Sequence, residues 1–112
     1  MRIVDAKNAA LNPNPHKVEA RMLQDHDVAQ AIHLKLEPGQ SLRRHITPVD
    51  VFFYVLEGTG VVEVGEEEQE VSADHLVESP AHIVHCWHNR SDAPLRILVV
   101  KTPKPTESTK LL

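Results

Sequence analysis

Histidine dominates the reactive side chains of this sequence. Eight imidazoles are present among 112 residues, and four of them, His75, His82, His85 and His88, fall within fourteen positions. Imidazole titrates near neutrality and is the commonest metal ligand, so this density points to a metal site, to proton transfer or to a response to pH. A single cysteine, Cys86, follows His85 directly. In an extended strand successive side chains point to opposite faces, so Cys86 and His85 cannot form a catalytic dyad. The same alternation puts His85 with Trp87 and Asn89 on one face, and Cys86 with His88 on the other.

Those residues need strands to hold them. Val28 to Leu36 alternates, with Val28, Gln30, Ile32, Leu34 and Leu36 on one face. Pro38-Gly39 then breaks the run. Val51 to Leu56 is apolar on both faces, as expected of a strand packed on two sides. Gly60 to Val64 and Glu68 to Ser72 read as a hairpin around Gly65-Glu66-Glu67. Leu76 to Glu78, Ile83 to His88 and Leu95 to Lys101 complete the strong strands. Nearer the N-terminus, Ile3 to Ala6 is a weak strand candidate and Asn12-Pro13-Asn14-Pro15 a loop. Val18 to Leu23 reads as an edge strand, or as a short helix. The polar, proline-broken stretch from Pro103 to Lys110 is expected to be a mobile tail. Many short strands with turn residues between them imply an all-β, antiparallel barrel or sandwich in one domain, with its core over 28–102, N-terminal strands within 1–27 and a flexible tail over 103–112.

Composition narrows the partners. The formal charge is −4, and basic residues do not cluster beyond Arg43-Arg44, which argues against a nucleic-acid binder. No apolar run is long enough for a membrane span. Met1 to Asp5 lacks a leader's apolar stretch, and one cysteine cannot form an internal disulfide, so the expectation is a cytoplasmic protein. Leu95, Ile97 and Val99 form one apolar face, and Leu98 and Val100 make much of the other. That pattern predicts a homodimer in which a partner sheet covers the outer face.

The segment Pro38 to Gly60, PGQSLRRHITPVDVFFYVLEGTG, resembles the first motif of the cupin superfamily, G-x(5)-H-x-H-x(3,4)-E-x(6)-G. Gly39, His45 and Gly58 match. Thr47 stands at the second histidine position and Val51 at the glutamate. The second motif, G-x(5)-P-x-G-x(2)-H-x(3)-N, is matched by Pro80, His85 and Asn89, with Asp74 and His82 at its two glycine positions. The resemblance implies a cupin jelly-roll barrel with His45 and His85 meeting inside it. It implies two of the family's four metal ligands. His82 is a candidate third, if the chain bends between it and His85, and Asp50 is another, if a bulge turns it inward. Zinc, nickel, copper or ferrous iron would suit three histidines.

If His45 faces inward, alternation carries Arg43 and Thr47 with it. Arg43 could then clamp an anionic ligand. Trp87 would supply a flat apolar wall, with Phe53 on the same lining. His75, His16, His26 and His33 carry no motif chemistry and are expected at turns, edges or the surface. Cys86 reads as a buried structural thiol and His88 as a residue of the outer face. Three functions compete: a metal-dependent enzyme acting on a small molecule inside the barrel, a non-catalytic module that binds a small ligand, and, more weakly, a partner-binding domain.

Overall fold

Alternating burial along the strands is what rolls this chain up. The computed structural model describes all 112 residues. A 3-10 turn (Ala6–Asn8) precedes ten strands: β1 (Glu19–Asp25), β2 (Gln30–Leu36), β3 (Ser41–Ile46), β4 (Asp50–Glu57), β5 (Thr59–Val64), β6 (Glu67–Ser72), β7 (Leu76–Ser79), β8 (His85–His88), β9 (Leu95–Thr102) and β10 (Lys110–Leu111). They form two five-stranded sheets, β1-β2-β9-β4-β7 and β10-β3-β8-β5-β6, and every pairing is antiparallel. This is the expected all-β jelly-roll architecture. No helix is long and apolar enough to cross a membrane.

The core lies between the sheets. Ile32, Leu34 and Leu36 of β2, Val51, Phe53 and Val55 of β4, and Leu95, Ile97 and Val99 of β9 are buried from one side. Leu42, Val62 and Trp87 meet them from the other. Each such side chain contributes about 1.5–3 kcal/mol through the apolar surface it removes from water. Gly58, at φ 88°, makes the turn between β4 and β5. A Cβ there would stand 2.3 Å from the Pro94 carbonyl oxygen, so the position needs glycine both for its conformation and for the close approach.

One expectation for the N-terminal end is corrected. Ile3 to Ala6 forms no strand; its segment turns into the 3-10 turn at Ala6–Asn8, where the Asp5 side chain accepts from the Lys7 amide. At the other end the last residues of the tail lie as β10 along the edge of β3, with Lys110 opposite Ile46 and Leu111 opposite His45. An edge strand offers unpaired amides and carbonyls, and the tail takes them up. Of the segment Val18 to Leu23, all but Val18 lies on β1, an edge strand rather than a helix.

Candidate functional site

A β-bulge in β3 builds the site. Leu42 pairs with Trp87 and His45 with His85, so Arg43 and Arg44 together face Cys86 alone. One extra residue on one strand breaks the alternation. Leu42 and His45 therefore both point inward, while Arg43 and Arg44 are exposed. The bulge also frees the peptide groups of Arg43. Its amide donates to His16 Nδ1 at 2.9 Å, and its carbonyl accepts from His45 Nδ1.

These bonds fix the tautomers. His45 carries its proton on Nδ1, because a carbonyl can only accept, and presents a lone pair at Nε2. His85 Nε2 lies 2.9 Å from His45 Nε2 and donates to it. His85 Nδ1 then accepts from Ser79 Oγ at 2.7 Å. His16 uses its Nδ1 lone pair on the Arg43 amide, so in its neutral form it carries its proton on Nε2. Thr47 Oγ1 stands 3.4 Å from His85 Nε2, and the Phe53 ring meets His85 edge-on at 5.3 Å.

The cavity around these groups measures about 160 Å³. Ile32, Leu34, Val51, Phe53 and Val99 give it apolar walls, and Asn12, Asn14 and His16 of the N-terminal segment line it too, as does Thr109 from the tail. No aspartate or glutamate lines it, and Lys101 does. Lys101 continues the inward face of β9 after Leu95, Ile97 and Val99. It makes no ion pair.

Burial governs the charges here. It pulls His85 down to about 3, aided by His45, Lys101 and His16. It pulls His16 down to about 4, aided by His45, Arg43 and Lys101. His45 is lowered by burial, against the opposing pull of the Arg43 carbonyl. Burial likewise lowers Lys101. At neutral pH the three imidazoles are uncharged beside an ammonium that no protein acid neutralises.

The residues singled out in the sequence divide accordingly. His45, His85, Thr47 and Phe53 line the cavity. Arg43 does not; the bulge turns its side chain out, and only its backbone makes hydrogen bonds to the site. His82 is exposed. It occupies a motif glycine position and keeps the glycine conformation, φ 66°, with its amide donating to the Thr47 carbonyl at 2.9 Å. Asp50 is also exposed; its carboxylate accepts from the Ala81 amide at 2.9 Å, fastening the β7–β8 connection. Trp87 is fully buried behind Phe53, 5.4 Å between rings, and does not reach the cavity. Asn89 is structural: its amide donates to the carbonyls of Leu36 and Ala93. His16, expected at the surface or an edge, sits with its ring centre 4.9 Å from that of His45, the two planes tilted by 57°. No local pattern signalled this, because the proline loop delivers it from outside the strand framework. Lys101 was legible in the alternation of β9.

On the outer wall, Glu63, Cys86 and His88 bring three metal-ligand types together. Burial and the Glu63 carboxylate push the Cys86 thiol up to about 12, so it is no nucleophile.

The comparisons with known proteins agree with this architecture. The family model described as cupin domain matches residues 32–101. The tetracenomycin polyketide synthase protein TcmJ of Streptomyces glaucescens is 32% identical over 72 residues, which are 63% of this chain and 48% of that protein. The chain thus spans about half the length of that relative. The structure of TT1209 from Thermus thermophilus superposes with a TM-score of 0.81 at 34% identity, over 94% of this chain and 100% of the other. The polyketide cyclase RemF of Streptomyces resistomycificus shares the fold, with a TM-score of 0.85 at 18% identity, over 100% of this chain and 85% of that one. With the barrel, the paired motif histidines and a matched model over most of its length, the chain belongs to the cupin family.

Proposed function

We propose that the barrel binds a small organic oxyanion, a carboxylate or an enolate, of about one ring in size. The observation that carries this reading is Lys101: an unpaired ammonium inside a cavity lined by three neutral imidazoles and no carboxylate. Such an arrangement lacks only a negative charge from outside. An apolar protein cavity of about 150 Å³ takes a benzene ring, and this one measures about 160 Å³. The neutral His45–His85 pair adds acid–base capacity beside the bound group, suited to moving a proton on an enolisable carbonyl compound. The likeness to TcmJ, a polyketide synthase protein, supports a substrate of that chemistry.

The same lining does not fit a divalent metal held by protein ligands. Two imidazole nitrogens are offered, His82 and Asp50 lie outside, Thr47 and Val51 occupy the other motif ligand positions, and Lys101 adds positive charge. Zinc centres gather three or four protein ligands.

Thermal denaturation in chelator separates the readings. Benzoate is expected to raise the melting temperature of the wild type, and neutral benzamide to raise it much less. Lys101→Met should erase the difference. Equal effects of the two compounds, or an undiminished benzoate effect in Lys101→Met, would rule the proposal out.

A further inference from the structure

We propose that Glu63, Cys86 and His88 form a binding site for a divalent transition-metal ion of the zinc class on the outer wall of the barrel. The sheet itself assembles the site. Cys86 and His88 share the outer face of β8, and Glu63 on β5 is the direct cross-strand partner of Cys86. Glu63 Oε2 lies 2.8 Å from Cys86 Sγ and 2.7 Å from His88 Nε2; Sγ and Nε2 are 3.5 Å apart. Thiolate, imidazole and carboxylate are the three ligand types zinc takes from proteins, with bonds of about 2.0–2.3 Å. Four such bonds in a tetrahedron separate the ligand atoms by roughly 3.3–3.7 Å. The sulfur–nitrogen distance already fits, and the carboxylate need retreat by less than about 1 Å.

The surroundings suit the same task. A metal-bound imidazole usually has its other nitrogen held by a hydrogen-bond partner. His88 Nδ1 has one: Ser41 Oγ at 2.9 Å, on the residue paired with His88 across β3. Arg44 approaches the other carboxylate oxygen, Oε1, at 3.7 Å, which leaves Oε2 turned to the cluster. Cys86 is covered, whereas Glu63 and His88 are partly exposed, so an ion enters from solvent and keeps a solvent molecule as its fourth ligand. Binding converts the Cys86 thiol to thiolate, its proton passing to the buffer. His88 meets the ion through Nε2 and keeps its proton on Nδ1, donated to Ser41.

The arrangement does not suit a catalytic triad. The same imidazole nitrogen faces both the sulfur and the carboxylate, so no second nitrogen is left for an orienting acid.

Cobalt(II) reads the site directly. Cys86 is the chain's one cysteine, so a thiolate-to-cobalt charge-transfer band can arise only here and not in the interior cavity. Titration of chelator-stripped full-length protein with Co²⁺ should develop that band to saturation at one ion per chain, and Zn²⁺ should abolish it. His88→Gln and Glu63→Gln should each weaken cobalt affinity by about tenfold or more. A wild type that shows no band up to saturating cobalt overturns the proposal, as does undiminished affinity in folded His88→Gln. The wild-type titration decides even if a variant fails to fold.

Discussion

His45 and His85, forty positions apart in sequence, face each other through their Nε2 atoms at 2.9 Å, and a single proton serves the contact. Each is anchored at its far nitrogen, His45 on the Arg43 carbonyl and His85 on Ser79. Charging either ring puts a cation in a buried site that already holds Lys101. The folded-state value of His85 falls from 6.5 to about 3, and that of His16 from 6.5 to about 4. The unfolded chain therefore binds more protons than the folded one below pH 6.5. Stability is fully present above that value and declines as pH falls toward about 4 and then about 3. For metal-free protein we expect a loss on the order of a few kcal/mol across this window. Urea midpoints measured from about pH 7 to about pH 4 check it, and His85→Leu should show a shallower decline. A flat wild-type profile would contradict the buried, neutral assignment.

Lys101 costs stability where it stands. Removing an ammonium from water without a partner is unfavourable, and methionine fills a similar volume with no charge. Lys101→Met is expected to raise stability by about 1 kcal/mol in chemical denaturation while anion binding is lost. A destabilised variant would mean that the ammonium has a favourable partner after all.

His82 holds a left-handed backbone that costs an ordinary side chain about 1–2 kcal/mol. Glycine adopts it without that strain but loses more freedom on folding. The balance predicts that His82→Gly is slightly stabilising, by up to about 1 kcal/mol, with ligand response unchanged. Calorimetry and the benzoate shift measure the two halves, and a lost response would return this imidazole to the site.

The outer face of the first sheet carries a cross-strand row of Ala31, Val100 and Phe52. We expect this row to pair two copies of the chain as a homodimer. Analytical ultracentrifugation should report twice the chain mass, falling to one in Val100→Glu. A monomeric wild type at high concentration would dismiss the pairing.

The strand framework was readable because alternation is a local property. Ile32, Leu34 and Leu36, or Val51, Phe53 and Val55, announce their face within a few residues. The meeting of His45 and His85 followed from motif resemblance plus closure. What escaped was set by departures from regularity or by distant chain. One extra residue at Arg43-Arg44 reverses the facing of Arg43, and nothing in residue type there signals it. His82 looked like a ligand by identity, whereas its backbone conformation decides its direction. His16 arrives on a loop that no strand pattern describes. Cys86 and His88 were placed on the outer face correctly, yet their partner Glu63 becomes visible only once β5 is known to lie beside β8.

The bulge in β3 has a consequence for how this protein tolerates change. Two imidazoles are steered by the peptide groups of one residue, and that residue's own side chain makes neither hydrogen bond. Position 43 is therefore open to almost any amino acid other than proline, which would remove the amide that His16 needs. Removing a single residue between Leu42 and His45 would restore a regular ladder with the imidazole still facing inward, but without the extra residue whose freed peptide groups hold His16 and His45. Spacing, rather than identity, is what heredity must guard at this point of the chain.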